Sequence, residues 1–301
     1  MAETETEVRI FDDHRDNLTV DVENDLVRER AASLRSEHSE AALLWNVFRA
    51  LQKLDPALWL PRLVRGAIPD VVRQGTLVGL FGRASLARAE FHWWKRYDLP
   101  ESRHAYLRDA ALNGCLHLDH YVQRSIPEKR SEVQRRLAAQ MPLEDPVEVP
   151  LCIETAECLV GIDAVYKGNL RRFTPFDAHR DAVVRLLDAG SHAAAAAGKR
   201  FVAVIVCTDP RSLNVETRLL VERYRDRPER LAEALPHRDD HATVEAAAHG
   251  LGLVRWRDVG ALLLDTKDSE RLGVFDGAVL DEIVKYLGRK DVGFNFFRRL
   301  K

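Results

Sequence analysis

Between Val147 and Gly168 the chain reads VEVPLCIETAECLVGIDAVYKG, two apolar-rich segments that both carry acidic residues. β-Branched and aromatic residues dominate Cys158 to Lys167, the composition of a strand. Strand side chains alternate between faces with a period of two, so Asp163, Val165 and Lys167 are expected on one face. Acids on neighbouring strands with a lysine beside them suit metal-dependent phosphodiester chemistry. The carboxylates hold Mg²⁺, and the ammonium stabilises charge at a scissile phosphate or orients a water. Glu148, Glu154 and Asp163 are the candidate acids, Glu154 and Asp163 the candidate metal ligands, and Lys167 the candidate cation.

Other elements must hold these residues. A helix expected from about 175 to 190 leads to Phe201–Cys207, a continuous apolar run of the kind buried on both faces. Strand, crossover helix and apolar strand in that order describe a β-α-β unit. Arg171, Arg172, His179, Arg180 and Arg185 make the start of that helix basic. Arg171, Arg172 and Arg180 are the candidate phosphate contacts. A solvated face balanced by Asp177, Asp181 and Asp188 is the competing account. Upstream, Ser39 is placed to start a helix over Glu40–Leu51. Glu37 and Glu40 lie one turn apart, and an acid there can complete a metal site or serve only as a first-turn acid favoured by the helix dipole.

The same segments resemble the PD-(D/E)XK restriction-endonuclease-like superfamily. Glu40-Ala41-Ala42-Leu43-Leu44-Trp45-Asn46-Val47-Phe48 is similar to an opening helix reading E-x-x-L-T-W-N-x-F in bacterial members. Glu148 and Ile153-Glu154-Thr155 match the ends of an E-x-D-x-x-I-E-T strand, whose metal-binding Asp falls on Pro150. In the following E-x-K strand, Asp163 stands for the Glu and Val165 for the Lys. Trp256-Arg257-Asp258-Val259 and the segment from Asp281 to Lys290 are similar to that group's W-x-D-[IV] turn and final helix. The resemblance implies an α/β fold: a restriction-endonuclease-like mixed central sheet flanked by helices, with helical additions at both ends. It implies Mg²⁺ as cofactor, nucleic acid as partner, and Glu40, Glu148, Glu154, Asp163 and Lys167 as the catalytic set. Two functions follow, a metal-dependent nuclease with a displaced lysine, or a pseudonuclease that binds nucleic acid, a protein partner or a second copy of itself.

Composition excludes little. The 301 residues are 46% hydrophobic and 31% charged with a net charge of −2, so no global basic field announces nucleic acid. Four cysteines without a CxxC pair read as buried thiols of a reducing compartment, and no apolar run has the length of a membrane span. The acidic start carries no signal-peptide pattern, so a cytoplasmic protein is expected. Residues 1–20 read as a frayed acidic N-terminus, 21–140 as helix-rich and 141–301 as the α/β core with a helical tail, all in one compact unit. Ala84–Lys95 reads as helical. His117-Leu118-Asp119-His120 and the group His237, Asp239, Asp240 and His241 are weak metal motifs; the second reads as a hydrophilic loop. Trp93-Trp94 beside Lys95-Arg96 could stack on bases, although core packing is the commoner use.

Overall fold

The structure, a computed structural model, describes residues 39–68, 79–113, 133–171, 177, 180–269, 272–290 and 292. Glu37, Cys115, Arg172, His179 and the His117–His120 motif lie outside the described residues, as does the acidic N-terminus. Five strands build one open mixed sheet: β1 Glu90–Tyr97, β2 Val147–Glu154, β3 Cys158–Ala164, β4 Arg200–Cys207 and β5 Leu251–Arg255. Their spatial order is their chain order. β1–β2 and β2–β3 are antiparallel, whereas β3–β4 and β4–β5 are parallel.

Helices cover both faces, because strands with apolar residues at nearly every position must be buried on both sides. One face carries α1 Glu40–Leu51, α2 Pro56–Ala67, α9 Trp256–Ser269 and α10 Val274–Arg289. The other carries α5 Ala182–Ala196, α6 Val215–Arg225, α7 Pro228–Ala234 and α8 His241–His249. A single turn, α3 Arg83–Leu86, precedes β1, and α4 Glu101–Leu112 follows it. Ser39 caps α1, its hydroxyl accepting the Ala42 N–H at 3.3 Å. Trp45 and Phe48 are buried, and the Asn46 amide donates to the Tyr286 hydroxyl of α10 at 3.1 Å. Among the described residues no helix is long and apolar enough to cross a membrane.

The strands over 147–154 and 201–207 stand where the sequence places them, and four other expectations are corrected. Cys158–Lys167 is a strand only to Ala164, and Val165–Gly168 forms a turn. The crossover helix starts at Ala182, behind an Asp181 cap, so Arg171 and Arg180 precede it; it runs on through the alanines to Ala196. Residues 90–97 are a strand, which puts the first strand of the sheet inside the stretch read as helix-rich. Leu251–Arg255 is a fifth strand inside the tail read as helical.

β1 was hidden by a change of phase. Phe91 and Trp93 pack with the α1 side of the sheet, but Tyr97 packs with the α5 side. On the partner strand Leu151 and Ile153 face α1, whereas Val147 and Val149 face α5. The switch falls at Trp94, whose φ is +49°, and at Pro150 opposite it in the register. A positive φ is costly for a bulky residue. The Trp94 ring is held by stacking on Trp45 at 5.1 Å with 7° between planes.

A slot between α5 and the sheet holds Phe201. A Cβ built on Gly190 would lie 2.1 Å from the Phe201 ring, and one on Gly161 3.2 Å from its other side. With both sides closed the ring cannot retreat. Gly190→Ala should therefore cost about 2 kcal/mol or more in urea unfolding. Gly190→Ala/Phe201→Leu should recover a large part of it, and a double mutant no better than the single would show that the slot is not the cause.

Candidate functional site

β2 and β3 pair from Glu154–Leu159 to Leu151–Ile162, and the ladder stops there. Asp163 is the next residue on β3, facing the level of Pro150, which has no backbone N–H to offer. Past this fork the chain turns, and the Tyr166 N–H donates to Glu40 Oε1 at 3.1 Å. Glu40, in the first turn of α1, is thereby brought against the end of β3. Asp163 Oδ1 accepts its neighbour's N–H, Ala164, at 2.7 Å. Burial pushes Asp163 up to about 6; the Ala164 N–H opposes this and the charge of Glu40 adds to it. Glu40 is raised as well, by burial against the opposing bond from Tyr166. Both carboxylates thus resist ionisation, the half-buried Asp163 in part through the charge of Glu40.

The other predicted acids do not join them. Glu154 lies opposite Leu159, four residues from Asp163 along β3 and so about 13 Å away. It sits instead among cations, 2.7 Å from Lys199, 3.3 Å from Lys95 and 3.3 Å from His92. The Lys199 hydrogen bond, aided by Lys95, holds its carboxyl below the usual range. As a metal ligand paired with Asp163, Glu154 is displaced by the sheet register. Glu148 is placed beside Arg96, 3.5 Å from its Nε. Among the described residues no group of three or more His, Cys, Asp and Glu side chains is gathered as a metal site.

The cations also move. Lys167 falls in the turn rather than on the strand; it is exposed, its Nζ 5.3 Å from the centre of the Tyr166 ring. The usual lysine position belongs to Val165, which is 1% exposed and packed towards α5. Arg171 is exposed beside the same turn. Arg180 is corrected outright: it is buried, with Nε 2.8 Å from Glu144 and an Nη2 2.7 Å from Asp188. Its guanidinium is spent on protein carboxylates and has no path to a phosphate.

Sequence reading also missed what surrounds Arg180. Glu144 binds Arg103 at 2.9 Å and Arg185 at 2.8 Å. Asp188 binds Arg238 at 2.9 Å and the buried His237 at 2.9 Å. Burial alone would raise both acids, yet Arg180 and Arg103 hold Glu144 low, and His237 and Arg180 hold Asp188 low. His237 is pushed down by its burial against the pull of Asp188; it lies in the expected loop after Pro236, with its ring turned into this network.

The parallel strands β3, β4 and β5 end at the same edge of the sheet, where ligands of open α/β sheets collect. Exposed Arg211 follows β4, and half-exposed Arg257 follows β5. Like Lys167 and Arg171, they lie in segments that follow the carboxyl ends of the parallel strands. Neither Arg211 nor Arg257 stood out in sequence; a tabulation of residues one to four places past each apolar strand was the available signal. No family model, curated protein or solved structure matches this chain.

Two outcomes check this geometry. Asp163 has a folded value above its unfolded one, so its contribution is full below about pH 4 and lost as pH rises through 6. Asp163→Asn escapes that loss. It should unfold about 1–3 kcal/mol less readily than wild type at pH 7.5, with the gap closing towards pH 4; an equal gap at both pH values would rule out titration of Asp163 as its source. Arg180→Ala removes the buried cation that Glu144 and Asp188 share and should lose about 3–5 kcal/mol. A loss below 1 kcal/mol would mean the network is solvated.

Proposed function

We propose that this chain is a PD-(D/E)XK-like nuclease-fold protein that binds nucleic acid through its phosphates at the carboxyl edge of the sheet. The observation that carries the reading is the pairing of Glu40 with Asp163 at the β2–β3 fork. The order helix, three antiparallel-linked strands, crossover helix and parallel strand supports it, as does Asp163 at the acidic position of the superfamily's E-x-K strand, while Pro150 and Val165 depart from the motif. Mg²⁺ fits these residues, since it is commonly held by one or two carboxylates together with phosphate oxygens and water. The cost that burial and the charge of Glu40 put on an ionised Asp163 is what a divalent cation relieves. Glu40 and Asp163 would hold the ion, which when bound supplies charge to draw in a phosphate and to polarise it.

Binding rather than rapid cleavage is the main activity in this reading, because Val165 puts an apolar side chain where the lysine acts. Lys167, Arg171, Arg211 and Arg257 take the phosphate-contact role that Arg180 does not have. A second reading, slow hydrolysis with Lys167 as the displaced cation, is favoured by its long stem on the same turn that holds Glu40.

Both are decided by one set of assays. In Mg²⁺, wild type should retain duplex or single-stranded DNA or RNA, and Lys167→Ala/Arg171→Ala should weaken retention uniformly across sequences. The salt slope on duplex should fall by about 0.9 for each phosphate contact removed. Plasmid nicking that disappears in Asp163→Asn and in Lys167→Ala would establish the second reading. Absence of any retention at low salt, with or without Mg²⁺, would end the nucleic-acid reading.

A further inference from the structure

We infer that Asn214 is the positioning residue of the carboxylate pair. It stands just before α6 with no exposed surface and touches neither Glu40 nor Asp163 through any recorded hydrogen bond. Its side-chain amide joins two turns at the carboxyl edge. Oδ1 accepts the N–H groups of Thr208 and Asp209, both at 2.9 Å, in the turn that follows β4. Nδ2 donates to the carbonyls of Gly168 and, at 3.5 Å, Tyr166 in the turn that follows β3. Two donors and two acceptor sites are the full capacity of an amide, and all are used.

The second turn is the one that fixes Glu40. Its Tyr166 N–H bonds Glu40 Oε1, and a Cβ on Gly168 would come within 3.8 Å of the same oxygen. Asn214 therefore holds the carbonyl side of Tyr166 and Gly168, in the same turn whose Tyr166 N–H fixes Glu40. Thr217 holds only the outgoing arm of the turn, accepting from Leu170 at 3.0 Å and donating its N–H to Asn169 at 3.1 Å. Asp at position 214 keeps the shape and the two accepted bonds but turns a carboxylate oxygen on the two carbonyls. Ordering of ligands by such an outer partner commonly changes metal affinity by about 10–100-fold.

This inference rests on the proposed role of Glu40 and Asp163, and one NMR experiment separates the two. Amide exchange and Mg²⁺ titration are followed at Tyr166, with Val204 in the centre of β4 as the reference, in wild type and Asn214→Asp. The expected result is Tyr166 exchange accelerated about tenfold or more with Val204 unchanged, and Mg²⁺ affinity weakened about tenfold or more. Tyr166 protection that survives the substitution overturns the inference, as does acceleration with undiminished Mg²⁺ affinity. If wild type takes up no Mg²⁺, the metal reading fails, and the exchange of Tyr166 alone decides whether Asn214 orders the turn. Should Asn214→Asp not fold, the side-chain NH₂ protons of Asn214 in wild type serve instead. Slow exchange and a shift on Mg²⁺ addition in step with Tyr166 support the inference, and fast exchange or no shift overturns it.

Discussion

The α5 side of the molecule is organised by buried charge. Arg103 from α4, Glu144 from the approach to β2, Arg180 from the approach to α5, Asp188 within α5, and Arg238 before α8 form one chain of alternating sign. It extends to Asp177 at one end and Asp240 at the other. Removing such groups from water is costly, and the attraction offsets that cost only when every partner is in place. The network therefore acts as a joint constraint: four segments far apart in sequence have to arrive together. Apolar contact is indifferent to small slides of one helix over another, whereas bidentate guanidinium geometry is not. The packing of α4, α5 and the segment before α8 inherits its register from these bonds.

That constraint also determines which cations remain for a ligand. Arginines near the start of a crossover helix resemble a phosphate clamp when only their order along the chain is known. Once Glu144 and Asp188 are inside, Arg180 is a structural ion, and the available positive charge is moved to the turns that follow the parallel strands. The carboxylates divide in the same way. Glu154 is neutralised by lysines and lies low, while Glu40 and Asp163 have no basic side chain bonded to them among the described residues and lie high. An arrangement that resists ionisation at two adjacent positions is a poor choice for stability alone, and such positions gather at sites of function.

The central sheet was readable because its signals are local. Val149–Ile153 and Phe201–Cys207 are apolar at consecutive positions, and Ser39 with Glu40 marks a helix start by chemistry that needs no tertiary partner. β1 was not readable because Trp94 and Pro150 shift both strands from one face to the other, which erases the period of two that a strand otherwise shows. β5 was too short to declare itself, and its Gly252 is there to admit α2, where a Cβ would meet Ala67 at 2.7 Å. Of the expected site residues only two come to the same end of β3. Asp163 and Glu40 stand together, but the strand ends three residues before Lys167, and a chain reading has no means of seeing that Arg180 is enclosed.

Because spatial and chain order coincide across all five strands, the sheet never has to admit a late strand between two already paired. Each new strand adds to the edge left by the one before it. Ladder growth from β1 through β5 can thus keep pace with emergence of the chain during synthesis, when domains begin to fold from the N-terminal side. The longest closure between paired neighbours, from β1 to β2, comes first, and the tight β2–β3 hairpin follows at once. Loop closure over longer separations slows assembly. Here that slow step would leave β1 waiting as an unpaired strand, and its Glu90, His92, Lys95 and Arg96 are the kind of charged and polar side chains that discourage a neighbouring chain from pairing there first.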